Sequence, residues 1–169
     1  MRLWRSVLRS LVSHPTSPSK RLLAQVRDVR IEFVKSANAS ERAPGTGTME
    51  RNVFKQPLQL HGTRPLTGYM RTGYCEAPKS DFGNHSVAAV VTDDFLDFSA
   101  SRGNDLRAAG LTNGCKWCLC VGRWKEAFDA RTSDSDARVP KVYLKRTSER
   151  ALEGVKLDDL KKFALDKED

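Results

Sequence analysis

Apolar residues in this chain gather into short runs, and the runs come late. HSVAAVV (85–91) is bounded by polar residues and predicts a buried strand. Thr92 follows as a helix N-cap, with Asp93 and Asp94 favourable in the first turn. Phe95, Leu96 and Phe98 supply an apolar face, and Gly103 suits the stop. KWCLCV (116–121) predicts a second strand and GRWKEAFDA (122–130) a second helix, with Trp124, Ala127 and Phe128 on one side. VPKVYLKRT (139–147) predicts a third strand with Val142 and Leu144 inward. SERALEGV (148–155) gives a helical turn, and LDDLKKFALD (157–166) a final amphipathic helix. Strands alternating with helices predict an α/β fold, a small and largely parallel sheet with helices packed on it. An antiparallel edge contributed by the preceding segment would make it α+β.

That preceding segment, 52–84, is rich in Gly, Pro and Thr and predicts irregular structure with turns. SANASERAPGTGTME (36–50) has the composition of a linker, and VRIEFV (29–34) alternates well enough for a short strand or helix. The organisation expected is a basic N-terminal segment over 1–50 and a single globular domain over 51–169.

Charge sharpens this division. Of the formal net charge of +8, residues 1–51 contribute ten Lys/Arg against four Asp/Glu, and the remainder nineteen against seventeen. The first 27 residues place Leu3, Val7, Leu8, Leu11 and Val12 at helical spacing, with Arg2, Arg5 and Arg9 on another face and no acid before Asp28. An Arg-rich, Ser-rich, acid-poor amphipathic helix has the character of a mitochondrial transit peptide. Localisation in or facing the matrix is expected, and an arm of this kind also suits docking on a partner. The near-neutral body argues against a globular nucleic-acid binder, leaving nucleic acid only to the basic arm. No apolar run approaches the roughly 20 residues that span a bilayer.

Candidate chemistry centres on GCKWCLCVGRW (114–124), where three of the four cysteines fall within six positions. On a strand, Cys118 and Cys120 share one face, while Cys115 lies across a turn. A zinc site needs four ligands, commonly as two closely spaced pairs. Cys115 and Cys118 offer one pair, but Cys75 and His85 lack the spacing of a second. A redox C-x-x-C works at a helix N-terminus, and this one enters a strand. The expectation is therefore no metal and no cofactor, with Cys118 and Cys120 as buried structural thiols in a strand between two others, and Cys115 more exposed. Four cysteines do not imply a disulfide scaffold. Nucleophilic catalysis would need a base beside a cysteine. His85 opens the strand preceding the one that carries Cys118 and Cys120. In SRGNDL (101–106), Gly103 reads as a left-handed helix stop, with Asn104 and Asp105 bonding local backbone and Arg102 pairing with a carboxylate; the functional alternative makes them a pocket wall. Arg123 and Trp124 suit an anion or a flat ligand, or Trp124 is core.

NVFKQPLQ, RPLTGYMRTGYC, HSVAAVVTDDFLDFSASRGNDL, WCLCVGRWKEAF and ERALEGVKLDDLKKFALD occur in that order. Together they resemble the family catalogued as domain of unknown function twenty-two thirty-seven, over about residues 51–166, with RGNDL and WCLC followed by R-W-x-E-A the most specific strings. The resemblance implies a domain boundary and a fold, but no reaction. Such proteins are known mainly from bacteria, and they carry two adjacent cysteines where this chain has Tyr74 and Cys75, another at Ala88, and an acid at Cys115. The loop before WCLC is shortened here to RAAGLTNG. Several family thiols are thus missing, and Cys115 is a feature of this chain.

Two functions follow as expectations. One is a non-catalytic accessory subunit of a larger mitochondrial assembly, a respiratory complex or a ribosome, contacting other protein subunits partly through its arm. The other is a small enzyme or ligand-binding domain using Cys75, His85, Arg102, Asp105 and Cys118, for which a polar pocket uniting those residues is the discriminating feature.

Overall fold

The computed structural model describes residues 49–166. The segment expected to form a targeting helix, the expected VRIEFV element and nearly all of the expected linker fall outside the described residues. Within them the order is β1 (Val87–Val90), α1 (Asp93–Ser101), β2 (Lys116–Leu119), α2 (Val121–Asp129), β3 (Lys141–Val142) and α3 (Leu157–Lys162), with 3-10 turns at 106–109, 144–146 and 149–153. No helix among the described residues is long and apolar enough to cross a membrane.

The local chemistry of α1 is as its sequence dictates. Thr92 Oγ1 accepts from Phe95 N at 3.1 Å, Asp93 and Asp94 occupy the first turn, and Gly103 takes φ +78° beyond the last. Phe95, Leu96 and Ser99 face inward.

The strands form a three-stranded sheet in the order β2-β1-β3, and both pairings are antiparallel. The parallel sheet expected from the alternation is corrected here, and the fold is α+β. The cause lies in where α1 returns. Val91 N donates to Cys115 O at 3.0 Å and Gly114 N to Val91 O at 2.8 Å, so the excursion through α1 begins and ends at one end of the sheet. It acts as a long hairpin loop, with Gly114 at φ +84° making its closing turn. β2 and β3, joined through α2, do run parallel to each other, but β1 separates them. β3 is also far shorter than 139–147. After Val142 the Asp166 carboxylate accepts from Leu144 N and from Lys145 N (2.9 Å for the latter), which turns the backbone out of the ladder.

β1 is buried on both faces. Val87 and Ala89 face the main core, where Trp124 stacks on Phe128 with centroids 5.2 Å apart and both meet Phe163 edge-on. Ala88 faces a smaller cluster of Cys75, Cys118 and Tyr143. Cys75 and Cys118 are joined in a disulfide, with Cα atoms 5.2 Å apart. The bond pins the irregular segment across the second face of the sheet, where Thr67 Oγ1 also accepts from Cys118 N at 2.8 Å. This corrects the reading of free thiols. Cys118 is buried, but in an edge strand and covalently paired, and Cys120 lies beyond the strand as the residue preceding α2.

Candidate functional site

The chain from Pro78 to His85 makes two successive turns, Asp81 N donating to Pro78 O (2.8 Å) and Asn84 N to Asp81 O (3.1 Å). The turns bring the buried Asp81 carboxylate back onto His85 twice. Oδ2 accepts from the His85 backbone N at 2.7 Å, and Oδ1 meets ring Nδ1 at 2.8 Å. A carboxylate on Nδ1 fixes the ring orientation and leaves Nε2 for another partner. The neighbour that acts most strongly on the ring is Cys120. Its hydrogen bond is the largest influence raising the His85 pKa to about 9. Burial opposes it, and the hydrogen bond and charge of Asp81 reinforce it.

The imidazole is also held sterically. Tyr69 stacks on it, with centroids 6.1 Å apart and planes 22° from parallel. A Cβ on Gly83 would stand 2.6 Å from His85 Cε1, so only glycine lets the ring sit where it does. Arg150 secures the loop from below. Its Nη1 donates to the carbonyls of Ala77 (2.7 Å) and Pro78, and reaches that of Asp81 at 3.5 Å.

Cys120 is placed by α2. Val121 N donates to Asn84 O at 3.0 Å, tying the start of the helix to the His85 loop. Arg123 N and Trp124 N both donate to Cys120 O at 3.1 Å, while the thiol makes no capping bond of its own. Cys120 therefore stands at the positive end of the helix and is the largest influence on the His85 ring. Gly122 presents open space where a Cβ would stand. A groove of about 590 Å³ runs past Cys120, with Phe82, 97 % exposed, at its edge and the Arg123–Glu126 pair (3.1 Å) on its wall. A thiol that lines a groove, with an imidazole and a buried carboxylate behind it, is an arrangement that can serve nucleophilic chemistry.

The residues singled out from sequence fall in three places. His85 is in this site. Cys75 and Cys118 form the buried disulfide, and so supply no free thiol to a reaction or, with Cys115, to a metal; among the described residues no group of three His, Cys, Asp or Glu converges as a metal site. Arg102 and Asp105 belong to the α1 stop. Arg102 lies 3.9 Å from Glu126 and over the Phe98 ring, and Asp105 Oδ1 accepts from Arg107 N at 3.0 Å. The structure does not bring these five residues together: of them His85 alone adjoins Cys120, and none lines the groove that Cys120 faces. Trp124 is core, its Nε1 donating to Pro140 O at 3.0 Å. Cys115, in the turn after Gly114, is half-buried beside Thr112.

Sequence reading missed Asp81. Its signal was the spacing D-x-x-x-H, which lets a carboxylate fold back on a histidine across two turns. It also assigned Cys120 to a strand interior when the glycine two positions on marks a helix start.

No curated protein matches the chain. A family model matches it over residues 51–164, two thirds of its length and nearly all of the described body. The chain accordingly belongs to the family described as an uncharacterized protein conserved in bacteria (DUF2237).

Proposed function

We propose that the protein is a cysteine-dependent enzyme acting on an electrophilic carbonyl, with Cys120 as nucleophile, His85 as acid–base and Asp81 as its orienting group. The observation that carries this reading is the series Asp81–His85–Cys120 at the start of α2. Cys120 sulfur, its proton passed to His85, attacks the carbonyl carbon, and the electron pair of the C=O moves to oxygen. Collapse expels the leaving group, which takes the proton held on His85, and leaves a thioester on Cys120. His85 then removes a proton from water, which attacks the thioester and releases the acid and the thiol. In the first turn of α2 the N–H groups of Val121, Arg123 and Trp124 are spent on carbonyls, so the N–H of Gly122, open to the groove, is the donor there that can meet the developing oxyanion.

The test uses Cys115 as an internal control. Iodoacetamide at slightly acidic pH, followed by peptide mass spectrometry, should label Cys120 about 10-fold faster than Cys115, with the advantage lost in His85→Gln. An activated acetyl ester should leave an acetyl group on Cys120 that decays in water. Equal labelling of the two cysteines, with no transient acetyl adduct, would sink the proposal.

A further inference from the structure

The other end of β2 carries charge that the thiol site does not use. A second cavity, of about 650 Å³, opens between the 60–64 segment, the Asn113–Cys115 turn and Arg146. Arg64, Lys116 and Arg146 line it, and no acidic side chain does. Among the described residues none of these three cations is ion-paired, whereas Arg102, Arg107, Arg123, Arg131, Arg138 and Arg150 all are. Lys116 and Arg146 are half-buried, so each has given up water without gaining a carboxylate.

Both are held in place. Lys116 Nζ lies 5.8 Å and Arg146 Cζ 4.3 Å from the centroid of the same ring, Tyr143. Gly62 packs on the Lys116 stem, where a Cβ would come within 3.2 Å of Lys116 Cβ. Behind them His61 is 2 % exposed, its Nε2 donating to Ala89 O at 3.0 Å and its Nδ1 without a partner. Burial, and then the charges of Arg146 and Lys116, bring its pKa down to about 4, so that the ring is neutral and the positive charge rests on Arg64, Lys116 and Arg146.

We infer that this cavity binds a phosphate-bearing small molecule, with Lys116 and Arg146 on the phosphate oxygens and Arg64 at the mouth. Three cations around one concavity match a group of charge −2 or more better than a single carboxylate, and guanidinium groups take phosphate oxygens in pairs. The ligand is a small molecule because the charge sits in a concavity. A nucleic-acid strand would need the positive charge to continue along the surface as a track.

Calorimetric titration of the full chain with pyrophosphate at low salt, with inorganic phosphate and a short RNA as further arms, tests this. Expected is one saturable pyrophosphate site, weaker for phosphate, with affinity reduced about 10-fold or more in Lys116→Gln and in Arg146→Gln, as for loss of one charge-assisted contact. Arg64→Gln, at an exposed position that cannot disturb the core, should weaken binding in the same direction. The rate of Cys120 alkylation should be unchanged in all three, so failure here leaves the thiol proposal standing, and the reverse. Absence of binding at millimolar pyrophosphate, binding indifferent to all three substitutions, or RNA binding more tightly than pyrophosphate through the same side chains would each overturn the inference.

Discussion

His85 and His61 lie at opposite protonation extremes for the same residue type. His85 is charged because Cys120 and the Asp81 carboxylate act on its ring, and His61 is neutral because burial and two cations surround it. Their consequences for stability differ in sign. With a folded-state pKa of about 9 against an unfolded value near 6.5, His85 contributes stability that is full below pH 6.5 and is lost as pH rises through 9. His61, lowered to about 4, contributes stability present above pH 6.5 and lost as pH falls through 4. Denaturant midpoints measured from pH 3.5 to 10 should therefore decline at both ends, with His85→Gln flattening only the alkaline limb and His61→Gln only the acid one. At the same scale, Asp81→Asn keeps the size of the side chain but removes the charge that holds the imidazolium. It should slow ester turnover by about 10²–10⁴-fold, the span that general acid–base catalysis supplies. A loss under twofold would show that Asp81 is not part of the machinery.

Among the elements, α2 and the disulfide matter most, and they divide what the sequence could and could not disclose. α1 was legible because its signals are local: the Thr92 cap, two acids in the first turn and a glycine after the last. The direction of the sheet was not, because alternation of strand and helix says nothing about which end of the sheet a helix returns to. The start of α2 was half legible. Trp124, Ala127 and Phe128 mark its buried face, but the assignment of Cys120 to the strand hid the fact that the sulfur sits at a helix terminus. The Cys75–Cys118 bond was beyond reach, since a link across 43 residues depends on a path through space rather than on spacing. Replacing both cysteines by alanine frees that loop in the unfolded chain and should lower stability by about 2–4 kcal/mol, read from chemical denaturation. Gly83→Ala acts on the site instead. The new methyl displaces the imidazole, so Cys120 labelling should slow toward that of Cys115, and the melting temperature below pH 9 should fall as the stability contributed by His85 is lost.

Over the whole molecule, distant parts of the chain converge on a few residues. Arg150 reaches back to the carbonyls of Ala77, Pro78 and Asp81, coupling the turn at 149–153 to the loop that presents His85. Arg150→Ala should therefore reduce both Cys120 labelling and stability, the latter by roughly 1–3 kcal/mol for the buried Ala77 carbonyl left without its donor. Shortening the side chain while keeping its charge, in Arg150→Lys, should restore part of each.

The pairing of Asn52 with Ser148, and of Cys75 with Thr147, governs how the chain can be made. A ribosome delivers Asn52 long before its partner, and at synthesis rates of about 5–20 residues per second the delay across 96 positions is roughly 5–20 s. During that interval the 52–75 segment has no sheet edge at 147–148 to close against, and Cys75 is a free thiol until β2 arrives. Nascent chains arrested before residue 147 emerges should be cut readily by protease between 52 and 80, and chains arrested after 166 emerges should resist. For a body of this size, folding is thus an event of release rather than of elongation, and its first residues are among the last to find their place.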